Sequence, residues 1–304
     1  MLSPSLVETD ANANNACIKG HNISYWYQQH AHSQAPTLVF IHGFPSAAWD
    51  WHNQWLAFAK SHSLLAMDLL GFGSSDKPHP YHYSLLEQAN VVDELCQELG
   101  ITNAIVIAHD YGNSVAQELL ARQLLPDPQP VQSSALSFNV EQVIWLNGGL
   151  FAESHRPLLM QKLLKSRLGP ALAMCMSKRS LTRSFRKIFA PHTPPTRETI
   201  DTLWTLLQRN QGKKVIPSLL SYIDERATYR DRWVAAMQCQ AEIDPKRLAF
   251  INGVHDPISG GHMLERFQAL LPNVPTAALT VGHYPQLEDA EKVNQCIKQF
   301  ISEI

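Results

Sequence analysis

Two aspartates and one histidine could carry chemistry, because each follows a short apolar run. Asp110, Asp256 and His283 occur in that order, and each preceding run has the length of a buried strand. Because ligands of α/β sheets bind at the carboxyl ends of the strands, these three side chains are expected to meet there. Asp110 would attack an electrophilic carbon and form an alkyl-enzyme ester. His283, oriented by Asp256, would then deprotonate the water that hydrolyses this ester.

The predicted nucleophile lies in the stretch AIVIAHDYGNS (Ala104–Ser114), in which an apolar run leads into a polar turn and then a helical pattern. A strand, a sharp turn and a helix hold a nucleophile at the tip of a parallel sheet. In the alternative interpretation, Asp110 ends a strand in a plain polar turn, Asp256 starts another turn, and His283 lies on a surface loop. The presence of all three residue types at three strand ends favours the triad.

An aspartate nucleophile restricts the substrate. It suits a carbon that undergoes displacement, in an epoxide or a carbon–halogen bond, whereas attack on a carboxyl ester would give an anhydride. Two backbone N–H groups, those of Tyr111 and Phe44, are the predicted oxyanion donors. The substrate is expected to be small or lipophilic, and neither a cofactor nor a metal is expected.

The elements that position these residues alternate between strands and helices, which predicts an α/β fold with a mostly parallel central sheet flanked by helices. The predicted strands are a hairpin over 18–28 with a turn at His21-Asn22, then Thr37–Ile41, Leu64–Leu69, Ala104–Ala108, Gln142–Leu146, Leu248–Asn252 and Thr276–Val281. A helix is expected from Ser84, with a capping box to Glu87.

The alternation stops between residues 150 and 243, where every signal is helical. Helices are expected at Arg156–Leu168, Pro170–Phe189, Arg197–Asn210 and Pro217–Ala236. This predicts a hydrolase core over 1–149 and 244–304 with a helical cap inserted at 150–243, and a loose leader over 1–16.

Composition narrows the class of protein. A net charge of −2 argues against a nucleic-acid binder. Five scattered cysteines without a CxxC pair predict reduced, mostly buried thiols in a cytosolic protein. The chain has neither an apolar run of the roughly 20 residues needed to span a bilayer nor a signal-peptide pattern. We therefore expect a cytoplasmic protein; the sequence predicts no oligomeric state.

Four motifs resemble the epoxide hydrolase and haloalkane dehalogenase branch of the α/β-hydrolases: HGFP (42–45), DLLGFGSSDKP (68–78), HDYG (109–112) and GHYPQLED (282–289). With LNGGLFAESHRPLLMQKLLK (146–165), they resemble the mesoderm-specific transcript family, whose animal members are membrane-associated. The resemblance covers about residues 20–300. It implies an α/β-hydrolase fold with a cap.

Departures from this branch favour epoxide chemistry. The resemblance implies that a dehalogenase would bind halide with a tryptophan after the nucleophile and an asparagine in the HGxP motif. Tyr111 and Phe44 stand there instead, and HGFP is the form common in epoxide hydrolases. The resemblance also implies a cap tyrosine that protonates the opening epoxide, which would be Tyr222; alternatively Tyr222 packs in the core. Tyr229 is a weak candidate for a second cap tyrosine.

Two further residues are candidates for substrate contact. His109 adjoins the predicted nucleophile, and Asn147 follows a strand. Asn147 either points into the pocket or caps the turn into the insertion, and the capping role is favoured.

The cap is strongly basic at its beginning. Residues 150–190 contain nine lysines and arginines against one acid, Glu153. This indicates either a solvated helix face or a lid that contacts an anionic membrane while lipophilic substrate enters. The sequence therefore favours an epoxide hydrolase-like enzyme. The alternatives are a dehalogenase with the same triad and a catalytically weak, lipid-binding scaffold.

Overall fold

A computed structural model describes residues 13–30, 35–126 and 135–303. Its centre is an eight-stranded sheet in the order β1-β2-β4-β3-β5-β6-β7-β8. The β1–β2 and β2–β4 pairs are antiparallel, and all other pairs are parallel. The strands are β1 (Asn14–Ile18), β2 (His21–Gln28), β3 (Thr37–Ile41), β4 (Leu64–Met67), β5 (Asn103–Ala108), β6 (Asn139–Trp145), β7 (Leu248–Gly253) and β8 (Thr276–Leu279).

Helices cover both faces of this sheet. Those outside the insertion are α1 (His52–Phe58), α2 (Leu85–Glu98), α3 (Tyr111–Leu124), α10 (Gly261–Leu270), α11 (Pro285–Glu288) and α12 (Ala290–Ser302). Successive residues of β3 point to opposite faces. Val39 lies in the apolar cluster under α2 and α3, and Phe40 lies in the cluster under α1 and α12. The predicted α/β class, with a mostly parallel sheet between two helical layers, is confirmed.

Strand register sets where the polar residues leave the sheet. Ile41 of β3 lies opposite Ala108 of β5, and Ala108 lies opposite Trp145 of β6. Three adjacent parallel strands therefore end at the same level. The HGFP segment, the turn at Asp110 and the segment at Asn147 emerge side by side.

Every regular element of the insertion between β6 and β7 is a helix, and irregular segments join them. The insertion contains α4 (Leu159–Leu164), α5 (Gly169–Met174), α6 (Lys178–Ile188), α7 (Arg197–Gln208), α8 (Ile216–Leu219) and α9 (Tyr222–Ile243). Between α7 and α8 the chain kinks at Asn210 and Gln211, whose φ values are positive (48° and 59°). The predicted helix Pro170–Phe189 is two helices, because Ser177 caps α6 by accepting the N–H of Ser180. The predicted helix Pro217–Ala236 is likewise broken, before Tyr222.

Other local predictions were wrong. The hairpin turns at Lys19-Gly20, not at His21-Asn22. Lys19 and Gly20 both have positive φ (51° and 81°), as a two-residue type I′ hairpin turn requires. Strand β1 begins at Asn14, inside the predicted leader, of which residues 1–12 lie outside the described residues.

The capping box at Ser84 does not form as predicted. Its hydroxyl accepts the N–H of Leu86, while Glu87 binds the hydroxyl of Tyr81 instead. The five cysteines are free thiols, but the expectation that most are buried was wrong: only Cys96 and Cys296 are.

Candidate active site

Asp110 stands on a strained turn between β5 and α3. Its backbone has φ 44° and ψ −100°, a region that non-glycine residues rarely adopt, and its side chain is buried. The turn is tight because α3 starts directly against β3. A Cβ on Gly112 would lie 2.5 Å from the carbonyl oxygen of Ile41, so only glycine fits there. The Asp110 N–H donates to the carbonyl of Asn147 at 2.8 Å, which fixes the turn to the neighbouring strand.

The Asp110 carboxylate is held by a backbone donor and a buried cation. The N–H of Phe44 donates to Oδ2 at 3.1 Å, and Nη2 of Arg226 lies 3.5 Å from Oδ1. Burial alone would raise the pKa of Asp110, but the charges of Arg226 and His283 outweigh it and lower that pKa. The lowered pKa leaves Asp110 ionised at neutral pH.

Arg226 was not predicted from the sequence. It lies on α9 and reaches down to α3, where Nε donates to the hydroxyl of Ser114 at 2.7 Å and Nη2 donates to the carbonyl of Asp110 at 2.6 Å. Two turns further along α9, Trp233 donates from Nε1 to Glu118 at 2.8 Å, so two side chains fasten this cap helix along α3. Arg226 stands four residues after Tyr222, on the same helix face, and this spacing is the signal that could have identified Arg226.

His283 and Asp256 form a buried pair. Nδ1 of His283 lies 2.7 Å from Oδ2 of Asp256, and the hydroxyl of Ser259 donates to the same oxygen at 2.6 Å. The N–H of Ile258 donates to Oδ1 at 2.7 Å. Burial opposes both charges, yet their attraction lowers the pKa of Asp256 to about 2 and raises the pKa of His283 to about 9.

Asn147 holds Asp256 in place. Its Nδ2 donates to Oδ2 of Asp256 and to the carbonyl of Gly253, both at 3.0 Å, and its Oδ1 accepts the N–H of Gly253 at 2.6 Å. The prediction that Asn147 contacts substrate therefore does not agree with its surroundings. The prediction that it caps the turn after β6 misses its main partners, since both its amide atoms bond residues at the end of β7.

Tyr222 lies at the base of the cap, close to Asp110. Its ring is 6.0 Å from the ring of Phe44 and 5.1 Å from that of Tyr111, and the guanidinium of Arg226 lies 4.5 Å from its centroid. Burial, with the nearby charge of Asp110, raises its pKa well above the usual value, so the phenol keeps its proton. Tyr229 instead packs its ring against Trp233 at 5.7 Å.

His109 and Tyr111, which flank Asp110 in the sequence, are both buried beside it. His109 is buried, and its Nε2 lies 2.8 Å from the carbonyl of His283. Burial, followed by the charge of His283, lowers the pKa of His109 to about 3, so this ring is neutral and supports the histidine loop. Tyr111 is buried and packs its ring edge-on against Phe72 and Tyr222, with ring centroids 5.2 Å and 5.1 Å away. Its backbone N–H, at the start of α3, has no partner within the helix.

The described residues contain no cluster of three or more histidine, cysteine or acidic side chains suited to hold a metal ion. In the same part of the chain, no helix has the length and apolar character needed to cross a bilayer.

Comparison with known proteins agrees with the fold. Residues 38–295 match the model of the alpha/beta hydrolase family. The mouse mesoderm-specific transcript protein is 37% identical over 296 residues, which cover 95% of this chain and 85% of that protein. Epoxide hydrolase 1 of Caenorhabditis elegans is 36% identical over 100 residues, 33% of this chain and 25% of that protein. The solved structure of the haloalkane dehalogenase DatA from Agrobacterium tumefaciens C58 superposes with a TM-score of 0.73 at 20% identity, covering 96% of both chains.

Proposed function

The chain belongs to the alpha/beta hydrolase family and, within it, to the mesoderm-specific transcript homologues, and we propose that it hydrolyses a small lipophilic epoxide through an ester on Asp110. One observation carries this proposal. A buried, ionised aspartate occupies the strained turn between β5 and α3, with a backbone donor on one oxygen and a histidine–aspartate pair close by. This is the arrangement in which a carboxylate attacks and a histidine activates water.

In the first step, an oxygen of Asp110 attacks an epoxide carbon and the carbon–oxygen bond of the ring breaks. The oxygen released takes the proton of the Tyr222 hydroxyl, which supplies general-acid assistance from the cap. The product is a hydroxyalkyl ester of Asp110. Tyr222 suits this role because it is protonated and lies beside Asp110, Phe44 and Arg226.

In the second step, His283 removes a proton from water, and the hydroxide attacks the carbonyl carbon of the Asp110 ester. Ester formation helps this step, because it removes the Asp110 charge that contributes to the raised pKa of His283. Negative charge builds on the carbonyl oxygen of the Asp110 ester, to which the N–H of Phe44 donates a hydrogen bond. The alcohol leaves with the new carboxyl proton, and the proton on His283 restores Tyr222. Epoxide and water are consumed, and a diol is formed.

Carbon–halogen cleavage by the same triad is the second candidate, since a dehalogenase shares the fold. Epoxide chemistry is favoured because Tyr111 and Phe44 stand where the resemblance implies that a dehalogenase would carry a tryptophan and an asparagine. Phe44 offers only its backbone N–H for hydrogen bonding.

The test is a panel of lipophilic epoxides and haloalkanes, with diol formation and halide release measured separately. We expect diol from wild type and none from Asp110→Asn, a replacement that tolerates positive φ. Asp224→Asn, at an exposed site on α9, should behave as wild type. Halide release without diol would identify a dehalogenase. Absence of both products and of any covalent adduct would support the lipid-binding alternative.

We also propose that the cap contacts an anionic membrane surface. Large apolar side chains are exposed on α4 and near α5, including Leu159 and Leu163 at 71% and 41%. A groove of about 270 Å³ is lined by leucines and Met160 together with Arg183 and Lys187. Apolar groups among cations complement an anionic lipid interface.

Liposome sedimentation tests this contact. Wild type should sediment with phosphatidylserine-containing vesicles and less with neutral ones, and Leu159→Glu with Leu163→Glu should reduce sedimentation. Leu56→Glu, at another exposed leucine (64%) far along the chain on α1, is the matched control. Equal sedimentation with both vesicle types would exclude the proposal.

A further inference from the structure

Glu288, at the end of α11, accepts four hydrogen bonds and has no role in the mechanism above. Its Oε2 accepts the N–H groups of Gly282 and Ala190, both at 2.9 Å, and the hydroxyl of Thr193 at 2.6 Å. Its Oε1 accepts the N–H of Tyr284 at 3.0 Å. A carboxylate has room for about four hydrogen bonds, so the acceptor capacity of Glu288 is used in full by this part of the chain.

Two of these donors flank the general base, His283, in a segment that we call the histidine loop (282–284). The N–H of His283 itself donates to the carbonyl of Ile188, at the end of α6, at 2.8 Å. Three consecutive backbone N–H groups are therefore bound by Glu288 or by α6. Nε2 of His109 lies 2.8 Å from the His283 carbonyl, so both backbone polar groups of the base are fixed.

The other two donors to Glu288 belong to the cap. Ala190 and Thr193 lie in the junction between α6 and α7 (189–196), which passes directly over the histidine loop. A Cβ on Gly282 would lie 2.3 Å from the carbonyl oxygen of Ile188 and 2.6 Å from the backbone nitrogen of Ala190. Only glycine fits at position 282, because the cap backbone and the loop backbone are in contact there.

Aromatic stacking reinforces this contact. The rings of Phe185 and Phe189 each lie 5.4 Å from the ring of Tyr284, the residue after the base. The cap therefore reaches the site at two separate places. Helix α9 brings the general acid to the nucleophile, whereas the α6–α7 junction contacts the loop that carries the general base.

Placement of the base decides how fast the ester is hydrolysed. His283 must keep Nδ1 on Asp256 while its other ring nitrogen faces the attacking water, and a misplacement of about 1 Å can cost about 100-fold in rate. We propose that Glu288 is a positioning residue for His283, because it binds the histidine loop to the α6–α7 junction of the cap. Docking of this junction then governs ester hydrolysis, and docking of α9 governs ester formation. The kinetic part rests on the proposed function, whereas the effect on the His283–Asp256 pair does not.

Thr193→Val tests this role, because it removes one hydrogen bond from the cap side and leaves the Glu288 carboxylate in place. Glu288→Ala would remove four hydrogen bonds at once, and loss of folding would hide the effect. Thr193→Ser keeps the hydroxyl and is the conservative variant. Thr205→Val is the matched control, since this exposed threonine of α7 donates to the carbonyl of Asp201, away from the histidine loop.

The first measurement is a single turnover with an epoxide, followed by intact mass after rapid quenching. In Thr193→Val, decay of the adduct should slow by about tenfold, as expected when one hydrogen bond to a charged group is lost in one step. Adduct formation should keep its wild-type rate. Thr193→Ser and Thr205→Val should match wild type in both steps. A purely structural role would not separate the two rates.

The second measurement needs no reaction. Proton NMR observes the Nδ1–H of His283, which lies between this ring and Asp256 and is identified by its absence in His283→Gln. Exchange of this proton with water should be about tenfold faster in Thr193→Val than in wild type. Thr193→Ser and Thr205→Val should exchange at the wild-type rate.

Three results would overturn the inference: equal slowing of adduct formation and decay, unchanged decay and proton exchange in Thr193→Val, or failure of Thr193→Ser to keep the wild-type rates. If no epoxide forms an adduct, the proposed function fails and the exchange rates alone decide. Faster exchange confined to Thr193→Val would then support the role of Glu288, and equal exchange in all variants would reject it.

Discussion

Replacement of Asn147 by alanine should separate the two chemical steps. Asn147 donates to Oδ2 of Asp256 at 3.0 Å, and it also bonds both backbone groups of Gly253. A hydrogen bond to a charged acceptor is worth about 1.5–3 kcal/mol, which corresponds to roughly 10–100-fold in rate if all of it is lost in one step. Because Asp256 acts only through His283, this loss should fall on hydrolysis of the ester.

The assay is a single turnover with an epoxide substrate, in which intact mass follows formation and decay of the adduct after rapid quenching. In Asn147→Ala, adduct formation should keep its wild-type rate, and decay should slow by about 10–100-fold. Urea unfolding should also show a loss of about 1–3 kcal/mol, since the buried N–H of Gly253 loses its partner, whereas the Gly253 carbonyl keeps the N–H of Asp256 at 3.2 Å. Asn139→Ala, an exposed asparagine at the start of β6, the strand that precedes Asn147, is the control and should change unfolding by less than about 0.5 kcal/mol. If formation slowed as much as decay, or if decay were unchanged, the role assigned to Asn147 would be refuted.

Three further predictions concern Tyr222 and the His283–Asp256 pair. Tyr222→Phe should slow adduct formation by about 100-fold or more and leave adduct decay unchanged, whereas Tyr229→Phe on the same helix should alter neither rate; rapid-quench mass spectrometry measures both. The decay rate should rise with pH through an apparent pKa below about 9, because His283 must lose its proton and the ester has removed the Asp110 charge that raises its pKa; a decay rate that fell over this range would contradict the base role. The pair should stabilise the fold most between about pH 3.8 and 6.5, since its contribution is lost as pH rises through the raised pKa of His283, about 9, and as pH falls through the lowered pKa of Asp256, about 2. The difference in unfolding free energy between wild type and His283→Gln, measured across pH, should be largest in that window, and a flat profile would count against the coupling.

The centre of the sheet could be predicted from the sequence because β3, β4, β5 and β7 are short, mostly apolar and followed by polar turns. Thr37–Ile41 is a strand with the predicted bounds, and β5 and β7 differ from prediction by one residue. The ends of these strands are where Asp110 and Asp256 lie, so predicting the strands also brought the candidate triad together. His283 follows β8, which ends two residues earlier than predicted.

The cap could not be predicted to the same depth, because its site residues depend on how α9 packs on α3. Arg226, Arg230 and Arg232 lie on one helix, and the sequence does not distinguish them. Only Arg226 reaches Asp110; Arg230 binds Glu153 at the surface, and Arg232 lies 3.7 Å from Glu118. Asn147 shows the same limit within the core. Its partners at the end of β7 lie more than a hundred residues away in the chain, and no local pattern identifies such a contact.

The most direct test of the central claim is to trap the ester on His283→Gln. Incubated with an epoxide that wild type converts to diol, this variant should accumulate one equivalent of adduct by intact mass, and peptide mapping should find it on Asp110. His255→Gln, at an exposed histidine on the neighbouring loop, should turn over without accumulation. An adduct on any other residue, or diol formation by His283→Gln at the wild-type rate, would contradict the account.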